Sequence, residues 1–184
     1  MPVGGSTIGE QTALTLPQFT DSILVTRGAV GSETYYRLTL EKLLNLRPTF
    51  ACERSGTILV NDNTWQNFFG DTEFFDSMDW YDPVTGRFTP LIAGFYSFRT
   101  EAQWSGVGDS VNISAKIEKN ATDNFTFNRK VGGAGGNSVG VSGGFVMNGT
   151  TDYVIASFLH QNGSAINLGA TGLFMGWLDT STRA

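Results

Sequence analysis

Asp71, Glu73, Asp76, Asp79 and Asp82 crowd one short stretch of the chain. Carboxylate oxygens at such spacing are the hard donors that calcium takes, which makes Glu73, Asp76, Asp79 and Asp82 candidate calcium ligands. The spacing does not reproduce the calcium loop of a helix–loop–helix hand, and Asp82-Pro83 is also a natural turn opener. Turn capping in a solvated loop therefore competes with metal binding for the same side chains. His160 is the single histidine, so any triad, zinc trio or imidazole acid–base pair would have to recruit it. It lies in Phe158-Leu159-His160-Gln161-Asn162-Gly163, a strand end entering an Asn-Gly turn, where an exposed polar residue is expected. Paired carboxylates can hydrolyse glycosides, but that work needs a long cleft, for which no room is expected in a domain of this size. The run Gly132-Gly133-Ala134-Gly135-Gly136 and the later Gly143-Gly144 lack the Lys-Ser or Lys-Thr and the following helix that a phosphate loop requires. They are expected as flexible loops or close strand packing. No enzyme is expected from these residues.

The elements that must position these groups are strands. Twenty-three glycines and fourteen phenylalanines in 184 residues, with Thr, Ser and Asn throughout, are what many short strands and tight turns demand. Cys52 is the only cysteine; no intramolecular disulfide can form, so the fold must rest on packing, with the thiol as a small buried hydrophobe. A net charge of −5 with 16% charged residues argues against a nucleic-acid grip, which needs clustered Lys and Arg. The start shows no secretory signal and no stretch reaches the length of a membrane span, so a product made in the cytosol without membrane insertion is expected. Sequons begin at Asn112, Asn120, Asn124, Asn148 and Asn162; an Asn-, Ser- and Thr-rich chain generates these by chance.

Read in order, residues 1–12 form a small, polar arm that is expected to be mobile alone. In 13–47, Ser22–Thr26 and Thr34–Leu38 read as strands around a Gly28–Ser32 turn. Thr39 then caps a short helix, Leu40–Leu46, with a stripe of Leu40, Leu43 and Leu44, and Pro48 blocks continuation. From 48 to 184, strands are expected at Phe50–Glu53, Thr57–Val60, Phe88–Thr100 (one long strand or a pair), Ser110–Lys119, Asn124–Lys130, Val139–Met147, Asp152–Leu159, Ala165–Leu168 and Leu173–Asp179. No helical period interrupts them. The expected fold is all-β, a two-sheet sandwich of jelly-roll type.

One ordered register carries a resemblance. Asp76, Tyr81, Phe88, Gly94, Tyr96 and Phe98, followed by Phe174, Gly176, Trp177 and Leu178, resemble the globular head of the C-one-q and tumour-necrosis-factor superfamily, whose pattern ends in Gly-x-Tyr-x-Phe. Two positions depart: Gly70 stands where an aromatic is usual, beside Phe68 and Phe69, and Thr100 replaces an aromatic. The resemblance implies a homotrimeric jelly-roll head, with Tyr96, Phe98, Tyr153, Phe174 and Trp177 in the core or at the trimer interface. Some heads of this family carry calcium, which keeps the acidic stretch in view.

The segment before the head, through Asp21-Ser22-Ile23-Leu24-Val25 and Arg37-Leu38-Thr39-Leu40 into Leu43-Leu44, is similar to a small module near the amino termini of tail-fibre and other virion proteins of tailed bacteriophages. That likeness implies a virion location, with Leu40, Leu43 and Leu44 as the anchor and residues 1–47 contacting other virion proteins. The expected function is a trimeric fibre or appendage displaying its head to a host-surface glycan or protein. A capsid decoration protein and a secreted C-one-q-like ligand or lectin are the alternatives.

Overall fold

The computed structural model of the chain describes residues 22–27, 34–39, 47–131 and 137–181. The chain divides into two units, Met1–Leu46 and Arg47–Ala184. In the first, β1 (Ser22–Arg27) and β2 (Thr34–Thr39) pair antiparallel from Ser22 opposite Thr39 to Arg27 opposite Thr34. Thr39, expected to cap a helix, is the last residue of β2; the helix expected at Leu40–Leu46, with its Leu40, Leu43 and Leu44 stripe, lies outside the described residues, as does the arm 1–12.

The second unit is two antiparallel sheets. One runs in the order β11 (Asp123–Val131), β10 (Val111–Lys119), β13 (Val154–His160), β8 (Arg87–Phe88), β7 (Tyr81–Asp82), with β5 (Gln66–Asn67) also on β13. The other runs β4 (Ile58–Val60), β14 (Ile166–Leu168), β9 (Gly94–Ser105), β15 (Leu173–Ser181), β3 (Thr49–Glu53), β6 (Thr72–Asp76), with β12 (Asn137–Met147) on the opposite side of β9. No helix occurs among the described residues. The period of two is clearest in β9, where Tyr96, Phe98, Thr100, Ala102 and Trp104 are buried while Phe95, Arg99 and Gln103 face out. Successive strand side chains point to opposite faces, so a strand written this way has one face committed to a core.

That core is aromatic. Phe50 stacks on Phe88 at 4.2 Å and meets Phe174 edge-on at 4.9 Å, while Phe98 stacks with Tyr96 and Phe174 at 6.3 Å each. Each fully buried ring of this size contributes about 1.5–3 kcal/mol through burial alone, with offset and edge-on geometry adding to it. The packing leaves no room beside Gly176, where an added Cβ would lie 2.5 Å from Phe98 Cδ1 and 2.8 Å from Phe50 Cε1.

Of the two readings of Phe88–Thr100, two strands hold and the single long strand does not: Phe88 belongs to one sheet and Gly94 begins a strand of the other. Pro90, between them, has no N–H for a ladder, and the segment that contains it carries the chain from one sheet to the other. The acidic stretch is also partly strand, since Thr72–Asp76 pairs with β3 across a bulge between Ala51 and Cys52. Thr72, Phe74 and Phe75 supply the strand preference that the carboxylates obscured.

Candidate functional site

The acidic stretch builds a turn. Asp76 accepts from the N–H groups of Met78, Trp80 and Tyr81 at 3.1, 2.6 and 2.6 Å, so its carboxylate closes the link from β6 to β7. Asp82 accepts from Val84 N at 2.9 Å and Thr85 Oγ1 at 2.7 Å, and the Thr85 hydroxyl leads in holding its carboxyl below the usual range. Asp71 accepts from the amide and hydroxyl of Ser55 at 2.6 and 2.9 Å. Asp79 has φ +59°, the left-handed conformation that Asp tolerates in turns. Burial, then the charges of Asp76 and Asp79, pushes Glu73 up. Among the described residues these side chains do not gather with others into a group of three or more His, Cys, Asp or Glu placed around a metal.

His160 is not exposed. It is fully buried, with Nε2 2.9 Å from the Val60 carbonyl, Asn162 N 3.4 Å from Nδ1, and its ring edge-on to Trp104 at 4.8 Å. These contacts assign Nε2–H as donor and Nδ1 as acceptor. The expectation failed because the Asn-Gly turn begins two residues later; His160 itself still faces inward on β13, in step with Ala156 and Phe158. Cys52 is buried, and burial pushes its thiol up to about 12. A Cβ on Gly70 would meet Cys52 Sγ at 2.5 Å, which explains why no aromatic stands there. Phe68 is buried instead, edge-on to Phe158 at 5.9 Å. Thr100, the other departure, is buried and donates its hydroxyl to the Leu173 carbonyl at 2.8 Å.

Tyr96, Phe98 and Phe174 fill the core of the protomer. Tyr153 and Trp177 are half-buried: the Arg87 guanidinium lies 4.1 Å over the Tyr153 ring, and Trp177 Nε1 donates to Asp179 Oδ1 at 2.8 Å. Asp179 Oδ2 also takes the Ser97 hydroxyl. Trp177 thus sits on the outward face of the seven-stranded sheet, and registry shows what accompanies it. Phe75, Ala51, Met175, Arg99 and Ser142 lie opposite one another across five strands, and Phe95 lies opposite Val146. Phe75, Phe95 and Val146 are exposed by 50%, 38% and 57%. The glycines of β12 serve close packing, as a Cβ on Gly143 would strike the Phe125 ring and one on Gly144 the Phe95 ring. The run 132–136 lies outside the described residues. Where β11 approaches β12, a groove of about 520 Å³ is lined by Arg99, Glu101, Phe127, Arg129, Ser138 and Ser142.

A second concavity, about 280 Å³, lies on the six-stranded sheet around Trp65, Asn112, Ser114, Asn128 and Gln161. Sequence reasoning missed it. The available signal was a tryptophan set in the polar run Asn61-Asp62-Asn63-Thr64-Trp65-Gln66-Asn67.

No protein-family model matches this chain, and no curated protein is significantly similar to it. Solved structures do share its fold. The globular domain of zebrafish complement 1qA superposes with a TM-score of 0.59 at 17% identity, covering 74% of this chain and 99% of that one. Eiger TNF from S. frugiperda gives 0.54 at 9% identity, covering 75% and 96%. PRD1 vertex protein P5 gives 0.52 at 11% identity, covering 73% and 96%. The second unit therefore has the two-sheet jelly-roll fold of the C-one-q and tumour-necrosis-factor heads.

Proposed function

We propose that this chain is a structural virion protein of a tailed bacteriophage: a homotrimer whose amino-terminal segment anchors it to the particle and whose jelly-roll head faces the host surface. The observation that carries the assembly is the outward face of the seven-stranded sheet. Phe75, Phe95 and Val146 are exposed there beside Met175 and Trp177, interleaved with Arg99 and Ser142, and several large apolar side chains exposed on one face commonly mark a surface that a partner covers. Closed symmetry covers it with copies of the same chain, and the neighbouring folds are consistent with three. The virion assignment draws on the amino-terminal likeness and on a phage vertex protein among the structural neighbours. Three heads side by side would let weak individual contacts sum to useful avidity.

The test is solution mass by light scattering, on the full chain and on residues 48–184, together with immunolabelling of particles. Three chains in both samples and labelled particles support the reading. A monomer in both, or unlabelled particles, overturns it. Particles lacking the protein should lose adsorption to host cells; retained adsorption with loss of thermal stability would favour capsid decoration instead.

A further inference from the structure

The outer face of the six-stranded sheet carries more than solvated polar residues. An antiparallel sheet with one face on a core normally presents scattered polar groups to water on the other, and nothing in that role calls for a tryptophan or a hollow. Here registry places Asn128 opposite Ser114, Ser114 opposite Leu159, and Lys116 opposite Ser157. Just beyond β13, Gln161 donates its backbone N–H to the Asn112 carbonyl at 2.9 Å. The carboxamides form a relay: Asn112 Nδ2 donates to Gln161 Oε1 at 3.0 Å, and Gln161 Nε2 donates to Asn63 Oδ1 at 3.2 Å. Each amide is thereby oriented, and each keeps a further donor or acceptor unused by the relay. Among the described residues, the Ser114 hydroxyl and the Asn128 carboxamide have no protein hydrogen-bond partner. Trp65 walls the hollow, 38% exposed, with the Lys116 ammonium 4.7 Å from its ring centroid. Lys116 is itself held by Glu118 at 2.5 Å, so the indole is braced from one side.

We infer that this hollow is a binding site for a neutral pyranose sugar, with Trp65 as the stacking platform and Asn112, Asn128, Ser114 and Gln161 as hydroxyl partners. The chemistry follows from the lining. Its groups are amides, a hydroxyl, a leucine and an indole, without a single charged side chain. Lys116, over Trp65, is already paired with Glu118, and Lys130 stands opposite Asn112 without lining the hollow, so a phosphate, sulfate or carboxylate would find no unpaired cation within the lining. A sugar ring offers what the site matches: a face of weakly positive C–H groups for the negative face of an aromatic ring, and an edge of hydroxyls that both donate and accept, as carboxamides do. A volume of about 280 Å³ lies just under the range of roughly 300–1,000 Å³ typical of sites for larger ligands and suits one ring of a longer glycan whose remainder stays in solvent. The inference rests on the reading of the head as a host-attachment module and names the ligand class and the face that module would use.

The test is an NMR titration of the full chain, labelled with nitrogen-15, against methyl galactopyranoside, methyl glucopyranoside, N-acetylglucosamine and, as an anionic control, glucuronate. With at least one neutral sugar, saturable shifts are expected at the Trp65 indole N–H and at the side-chain amides of Asn112, Asn128 and Gln161, with millimolar dissociation constants. Trp65→Ala should weaken binding at least tenfold, and Trp65→Phe should recover part of it; the ring is exposed, so unchanged backbone spectra will verify the fold of both variants. No saturable shift with any neutral sugar, tighter binding of glucuronate than of glucoside, or unaltered titration of Trp65→Ala each overturns the inference. The two readings fail separately. Labelled particles whose Trp65→Ala version adsorbs normally sink the sugar site alone, whereas sugar binding by a protein absent from particles sinks the virion reading alone.

Discussion

Gly176 is held between two rings, and its replacement is a direct probe of how tightly the core is filled. Gly176→Ala should lower stability by about 2 kcal/mol, typical of forcing an extra methyl group into a packed interior, as a drop in the thermal midpoint with an unchanged circular-dichroism spectrum below it. Asp152 tests a different kind of interaction. It is buried, 2.8 Å from Lys119 Nζ, accepting from Asn120 Nδ2 at 2.7 Å and Asn148 N at 2.8 Å. Burial alone would raise its pKa, but the Lys119, Asn120 and Asn148 contacts together lower it below the ordinary 3.8. A lowered carboxyl contributes stability that is fully present above that ordinary value and disappears as pH falls through the folded one. Denaturant midpoints should therefore fall on acidification below about pH 4. Asp152→Asn should lose part of that acid dependence, and Asp152→Ala should cost about 2 kcal/mol at neutral pH, as expected for hydrogen bonds to a charged group.

At the scale of elements, the outward face of the seven-stranded sheet makes a sharp prediction because it is separate from the core. Val146→Glu and Phe95→Glu should each reduce the solution mass toward that of one chain while leaving far-ultraviolet circular dichroism intact; both variants keeping the parent mass would remove this face from the assembly. Strands with alternating side chains were legible in the sequence, as β10 shows with Val111, Ile113, Ala115 and Ile117 buried. What escaped were elements whose signal is not periodic. β5 and β7 are two residues each, too short to have a period, and β6 was hidden by its carboxylates. Cys52, expected as a buried hydrophobe, is buried, whereas His160 was misread because a turn signature was allowed to outweigh its place in the inward register of β13. The sugar-binding hollow was illegible for a different reason: Asn63, Asn112, Asn128 and Gln161 are distant in sequence and come together only through strand registry.

For the whole molecule, the order of the strands matters more than their number. β15 lies between β9 and β3, pairing along Leu173–Trp177 with Glu53–Thr49 on one side and along Leu173–Ser181 with Glu101–Gly94 on the other. A strand made early in synthesis and one from the middle of the head are thus joined only through a strand made late. Until residues 173–181 leave the ribosome, the nascent head has a gap in its sheet, with Phe50, Phe98 and Gly176's pocket open to solvent and no local pairing to substitute for the missing ladder. Closure of such long-range contacts is slow, and exposed strand edges invite misassociation. Ribosome-stalled chains ending before Leu173 should therefore remain protease-sensitive across 49–168, while chains whose tether places Ser181 beyond the exit tunnel should become resistant in a single step. Folding of the head is accordingly governed by the arrival of its last strand, and slowing translation ahead of residues 173–181 should do little to help it fold.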